Sequence, residues 1–239
     1  LLADFRACPQ LFHRKILGLI PDVDRPAYLL GRAVHVRVLE GREAYLERFA
    51  FGGPVNPRTN KPYGSGTKAF AEWAAKVGKP VLTDDQAALV ENIAAGVARN
   101  AEAVDLLLYG VAEGVVRAEI ESVPCQARLD WLNPHHGIVD LKTCDDLTWF
   151  EADARRYGYS YQLAFYRAVL AEAAGKVAPC HLIAVEKKEP FRCGLWHIHP
   201  DALDQCAREN AAAIQRLTEC RRLDSWPTGY EQPRVLDAV

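Results

Sequence analysis

The sequence predicts an α/β (α+β) fold in one domain, a small mixed sheet flanked by helices. Three observations carry that reading. Residues 1–110 hold apolar side chains mostly at helical spacing. The period then switches to that of strands, with turn residues between the runs. Last, a helical stretch separates the first strands from two later ones, so a crossover helix joins parts of one sheet. On this division residues 111–225 form the core and 226–239 a tail.

The elements follow in order. LLADFRACPQLFHRKILGLI, 1–20, sets Leu2, Phe5, Leu11, Phe12 and Ile16 at helical spacing, and Pro9 kinks or divides it. Residues 27–49 form a second helix with a largely apolar first half, and Gly41 is a candidate break. GGPVNPRTNKPYGSG, 52–66, is a loop by composition, long enough to be functional. Helices follow at 67–77 and 84–107, the second with an N-terminal cap in TDDQ, from Thr83. Strands are expected at 113–122, 124–132 and in GIVDLKT, 137–143. A helix over 151–174, ended by Gly175, precedes strands at 180–187 and 191–199 and a last helix at 201–222. WPTGYEQP, 226–233, is punctuated by proline and glycine.

Composition bounds the function. A chain that is 49% hydrophobic is long enough for one substantial core. No apolar run approaches bilayer length and no signal peptide is visible, so a cytoplasmic setting is expected. Met is absent, so the numbered chain reads as a processed or trimmed form. Seven cysteines without tight spacing argue against a disulfide framework, and no C-x-x-C pair suggests a metal cluster. The net charge of −2 neither favours nor excludes nucleic acid, because binding needs only a local basic patch. Basic residues do cluster, at Arg6, Arg14 and Lys15, at Arg32 and Arg37, at Arg155 and Arg156, at Lys187, Lys188 and Arg192, and at Arg221 and Arg222. Most such clusters are solvated surface.

GIVDLKT places charge inside an apolar run. In a strand Ile138, Asp140 and Lys142 share one face, with Val139, Leu141 and Thr143 on the other. NPHHG, 133–137, is turn chemistry between two strand-like runs. A hairpin centred on His135 sets Asp130 opposite Asp140, with Cβ atoms about 5 Å apart, where like charges repel. A divalent cation removes that repulsion, and convergent carboxylates suit Mg²⁺ or Mn²⁺. Lys142 would orient a water or stabilise charge developing on a phosphate. In the bland alternative the carboxylates simply pair with Arg128 and Lys142. Two aspartates with a lysine put metal chemistry ahead.

Asp130 followed by Asp140-Leu141-Lys142 resembles the signature of the PD-(D/E)XK nuclease superfamily, with Leu129 in place of its frequent proline. GRAVHVRVLEG, 31–41, resembles the helix of the RecB-like branch in which a histidine, here His35, binds metal. YSYQLAFY, 159–166, contains that branch's Q-x-x-x-Y at Gln162 and Tyr166, and LLADFRACPQLF resembles its N-terminal segment. The order of these residues matches the branch over nearly the whole chain, most like phage exonucleases of the exonuclease VIII (RecE nuclease domain) type.

The resemblance implies a restriction-endonuclease-like core and a metal-dependent DNA exonuclease. It would degrade one strand from double-stranded DNA ends, 5′ to 3′, leaving 3′ overhangs for recombination or repair. It implies His35, Asp130, Asp140 and the Leu141 carbonyl as ligands of Mg²⁺, with Mn²⁺ able to substitute. Lys142 would act on water or phosphate, and Glu113 would be an additional catalytic acid, with Glu119 competing for that place. Gln162, Tyr166, Tyr159 and Arg128 would contact DNA. No iron–sulfur cluster is expected, since Cys206 and Cys220 stand fourteen apart without the clustered C-terminal cysteines of cluster-bearing members. Implied partners are further copies in a homo-oligomeric ring and a single-strand annealing recombinase, in a bacterial or phage-encoded system without a membrane. The alternatives are a structure-specific endonuclease or nickase on the same core, and a catalytically idle DNA-binding module.

Overall fold

The structure is a computed structural model that describes residues 2–21 and 26–235. Leu1 and the end of the expected tail lie outside the described residues. Helices α1 (Leu2–Ala7) and α2 (Pro9–Ile16) divide where Pro9 predicts. Cys8 between them caps α2, its Sγ accepting from the Leu11 N–H at 3.3 Å. Pro9 stands in the first turn, where the missing N–H costs nothing.

The expected helix over 27–49 is three pieces. α3 (Pro26–His35) runs into a π-helical turn, Val36–Glu40, and then α4 (Gly41–Arg48). Gly41 makes the break at φ +92°, a conformation that glycine tolerates. Short strands β1 (Ala50–Phe51), β2 (Val55–Asn56) and β3 (Lys61–Pro62) follow. The expected loop thus contains a small β2–β3 hairpin, its turn held by Asn56 Oδ1 on the Arg58 N–H at 2.9 Å.

Next come α5 (Lys68–Val77), β4 (Val81–Leu82), α6 (Asp84–Ala98) and α7 (Ala101–Leu106). Thr83 and Gln86 form a full capping box on α6. The single helix expected over 84–107 is instead divided at Asn100. Its Oδ1 caps α7 through the Ala103 N–H at 3.1 Å, and its Nδ2 reaches the Cys193 carbonyl at 2.9 Å. A tertiary anchor overrides the helical period there.

The remainder is β5 (Val111–Ile120), β6 (Val123–Asn133), β7 (Gly137–Cys144), α8 (Phe150–Tyr157), α9 (Tyr159–Ala174), β8 (Cys180–Glu186), β9 (Cys193–His197) and α10 (Pro200–Leu223). The expected helix over 151–174 is split by Gly158, left-handed at φ +70°, which ends α8 and starts α9.

Strands β5-β6-β7-β8-β9 form one five-stranded sheet in that order. β7 and β8 run parallel, joined by α8 and α9, and the other pairs are antiparallel. The sheet is therefore mixed. One face packs Val139, Leu141, Ile183 and Val185 under Val34, Val90, Ile93 and Val97 of α3 and α6. The other packs Ile138, Leu182 and Ala184 under Leu163, Ala164 and Val169 of α9. The alternation read from GIVDLKT is thus observed. β8 is buried along its whole length, as a strand covered on both faces must be. Each fully buried leucine or isoleucine here, such as Leu141, Leu163 or Ile183, contributes roughly 1.5–3 kcal/mol. α10 joins α1 and α2 through Ala213, Leu217, Phe5 and Phe12. Among the described residues no helix is long and apolar enough to cross a membrane.

Candidate active site

The turn between β6 and β7 fixes everything downstream. Asn133 is buried, and its Oδ1 accepts from the N–H groups of His135 and His136 at 2.8 and 3.0 Å. Its Nδ2 donates to the carbonyls of Leu106 and Leu108 at 3.0 and 2.9 Å, tying the hairpin to α7. The register pairs Asn133 with Gly137, Leu132 with Ile138 and Trp131 with Val139, so the hairpin is centred on His135. Gly137 lies at φ +89°, and a Cβ there would sit 2.3 Å from the Pro179 carbonyl oxygen.

Pairing between β6 and β7 stops at Trp131–Val139, one step short of the aspartates. The register sets Asp130 opposite Asp140, as the sequence predicts, but the backbone ladder ends before them. Instead Asp130 Oδ2 accepts from the Leu141 N–H at 3.0 Å. On its other side Asp130 also lacks a partner, because the β5–β6 pairing passes from Ala112–Trp131 to Gly114–Leu129. The skipped residue, Glu113, has φ +53°, rare and strained for a residue with a Cβ.

Both strands turn over at this level. Ala127 and Leu129 pack under α9, whereas Trp131, two residues on, packs in the opposite core. Val116 and Ala118 likewise lie on the α9 side, and Ala112 on the other. Acidic side chains thus gather where the sheet opens between its two layers.

His35 ends α3, just before the π-helical turn, a feature common at functional sites. Its Nδ1 lies 3.6 Å from Asp130 Oδ2. His35, Glu113 and Asp130 each offer a ligand atom, and these atoms lie within 4.8 Å of one another. Asp140 is 0% exposed, and its Oδ2 lies 2.6 Å from Lys142 Nζ. That contact is an ion pair, since neither Asp140 oxygen receives a well-directed hydrogen bond among the described residues.

The bland pairing is therefore half realised. Lys142 does pair with Asp140, but Arg128 Nε binds Glu113 Oε2 at 2.9 Å rather than Asp130. Glu119 is exposed opposite Pro124 near the far end of the β5–β6 hairpin, away from this cluster.

α9 supplies the other wall. Lys142 Nζ donates to Gln162 Oε1 at 3.2 Å, and Gln162 Nε2 donates to the Tyr166 hydroxyl at 2.7 Å. The Tyr159 ring centroid lies 4.8 Å from the same ammonium. The Q-x-x-x-Y pair thus braces Lys142 within the protein.

Electrostatics follow from burial of like charge. Burial, then the neighbouring Asp140, pushes the Asp130 carboxyl up to about 8. Burial also raises Glu113. It lowers His35 against the pull of Asp140. For Lys142 burial is the largest single influence and acts downward, but Asp140 and Asp130 together outweigh it and raise the pKa.

This donor set fits a divalent cation. Two buried carboxylates that repel each other, one with orphaned oxygens, are stabilised by a positive charge between them. Sequence reasoning named these side chains. It missed the left-handed Glu113, which no residue type announces, and the Asn133 brace, which the N-P pair of NPHHG hints at.

A family model for the PDDEXK-like domain of unknown function (DUF3799) matches residues 1–237. The chain belongs to that family. Among solved structures, a protein from Eubacterium rectale described as a "putative exonuclease" is similar with a TM-score of 0.70 at 15% identity, covering 100% of this chain and 89% of that one. That likeness establishes the shared fold. No curated protein matches the chain. Membership agrees with the resemblance to the PD-(D/E)XK superfamily, and the mixed sheet between helical layers agrees with a restriction-endonuclease-like core.

Proposed function

We propose that this PDDEXK-like domain is a divalent-metal-dependent deoxyribonuclease that hydrolyses one strand from the ends of linear duplex DNA, 5′ to 3′, leaving 3′ overhangs. The observation that carries it is the convergence of His35, Glu113, Asp130, orphaned Asp140 and a braced Lys142 at one opening of the sheet. The protein from Eubacterium rectale that shares the fold is itself described as a "putative exonuclease", in keeping with the exonucleolytic form proposed here.

His35, Asp130, Asp140 and the Leu141 carbonyl would hold Mg²⁺ or Mn²⁺, with Glu113 beside them. Leu141 donates its N–H toward Asp130, and a strand residue turns both backbone groups to the same edge, so its carbonyl opens on the same side. The bound cation supplies Lewis acidity at the phosphate and lowers the pKa of water. The histidine favours activity with Mn²⁺ as well as Mg²⁺.

Lys142 presents a fixed ammonium to the attacking water or the scissile phosphate, and needs no reorganisation because Asp140, Gln162 and Tyr159 already hold it. Arg128 is 69% exposed on its side chain and can exchange Glu113 for a DNA phosphate. Tyr159, Gln162 and Tyr166 shape the wall along which the strand lies. The RecE-type resemblance supports a ring of copies, a single-strand annealing recombinase as partner, and a role in recombination or repair.

The test is digestion of duplexes labelled at the 5′ or the 3′ end, with Mg²⁺ or Mn²⁺, beside a covalently closed circle. Early release of the 5′ label with circles spared is expected. Cutting of closed circles would replace the exonuclease by an endonuclease on the same core.

A further inference from the structure

Outside the carboxylate cluster, a cavity of about 510 Å³ opens between α1, the α8–α9 junction and α10. Arg6, Arg155, Arg156 and Arg216 line it. They come from three separate segments, so folding gathers like charges that the chain keeps apart.

Arg155, Arg156 and Arg216 have no ion-pair partner among the described residues. Arg6 is half-buried, stacked with its guanidinium carbon 3.4 Å from the Tyr161 ring centroid and donating to Asn210 Oδ1 at 3.2 Å. Among the described residues no carboxylate forms an ion pair with it, and Glu209 acts on it only as a nearby charge. The one acidic residue on the wall, Glu209, is committed to the Tyr161 hydroxyl and the Gln205 amide. Four guanidinium groups around one cavity repel each other, and an anion with several oxygens relieves that repulsion by forked hydrogen bonds.

The cavity also borders the chemistry. Tyr157 on its wall is 59% exposed, and its ring lies 6.0 Å from that of Tyr159, the ring beneath Lys142. An exposed aromatic among arginines suits a chain of phosphates carrying flat bases. A second cavity of about 510 Å³ shares Arg6 and Arg216 and adds Arg234 and Glu219, the latter paired with Arg222.

We infer that the cavity of Arg6, Arg155, Arg156 and Arg216 is a second nucleic-acid subsite, gripping the sugar–phosphate backbone of a single strand within a few nucleotides of the Lys142 site, with Tyr157 as a stacking surface. The inference rests on the nuclease reading for the identity of its ligand.

The test is fluorescence anisotropy of a labelled single-stranded oligonucleotide with the full chain in chelator, so that nothing is cut, over a series of salt concentrations. The three exposed arginines are replaced together, as Arg155→Ala, Arg156→Ala and Arg216→Ala, with Lys68→Ala on distant α5 as the control. The triple variant should bind more weakly, and the slope of log affinity against log salt should fall by about two. Lys68→Ala should match wild type. An unchanged slope and affinity in the triple variant would overturn the inference. So would displacement of the oligonucleotide by poly-glutamate as readily as by a DNA strand of equal charge, which would mark a docking site for acidic protein. Hydrolysis by the wild-type chain is measured alongside. No hydrolysis with an arginine-dependent slope sinks the nuclease reading alone, and hydrolysis with an unaltered slope sinks this inference alone.

Discussion

Lys142 separates a chemical role from a structural one. Its ammonium sits against Asp140 but is not a metal ligand. Lys142→Ala should cut the hydrolysis rate about a hundredfold or more at saturating metal, the usual effect of losing one such electrostatic group. Metal affinity, followed by calorimetry, should hold or tighten because a positive neighbour is gone. Lost metal binding with a normal rate would make the lysine a mere partner of Asp140. His35→Ala gives the complementary reading: weaker metal affinity with a nearly unchanged melting temperature without metal. A large fall in metal-free stability with unaltered metal dependence would make His35 a core residue. Asp140 and Lys142 were legible because strand alternation puts both on one face. His35 was legible only through a family resemblance, since a histidine on an apolar helix ordinarily belongs to the core. Glu113 in its left-handed conformation was beyond any local signal, because tertiary contacts impose that backbone.

Elements were legible wherever a local device sets their ends. Thr83, Pro9, Gly41 and Gly175 mark boundaries by caps, ring constraint or positive φ. The breaks at Asn100 and Gly158 were missed because apolar period continues across both, while partners distant in sequence decide the break at Asn100. The β6–β7 turn carries a sharp prediction. Gly137→Ala combines a positive φ with a Cβ 2.3 Å from backbone, which cannot yield as a flexible side chain does. A loss of about 1–3 kcal/mol in denaturant unfolding is expected, with activity falling as the aspartates shift. Wild-type stability would show that the turn relaxes freely. The far end of β8 carries a pH dependence. Glu186 is fully buried, accepting two bonds from Arg192 and one from the Leu147 N–H at 2.9 Å. Arg192 chiefly, with Leu147, holds its carboxyl below the ordinary 4.5 against burial. A depressed acid stabilises the fold above its unfolded pKa, and that stability is lost as pH falls through the folded value. Glu186→Gln should therefore lower the melting temperature at pH 7, and the gap from wild type should narrow below about pH 4. A gap independent of pH would show that the ionised form contributes nothing.

At the scale of the molecule, two hydrophobic layers clamp a sheet that opens at one level, and chemistry-bearing residues from α3, β5, β6, β7 and α9 meet there. The order of the five sheet strands and the crossover was legible from period, and the place of the hairpin from the turn residues of NPHHG, whereas the two-residue strands β1 to β4 are too short to leave a period. The meeting of Arg6 with Arg155 and Arg216 was not legible, since each stands in its own stretch as ordinary surface charge. On the proposed function this opening is a metal-dependent phosphodiesterase centre. Its most direct measurement is release of acid-soluble nucleotide from a uniformly labelled linear duplex, by wild type and by Asp140→Asn, with and without Mg²⁺ or Mn²⁺. Release is expected from wild type only when metal is present, and none from a folded Asp140→Asn protein. Equal release by both proteins, or release undiminished in chelator, would contradict the proposed function.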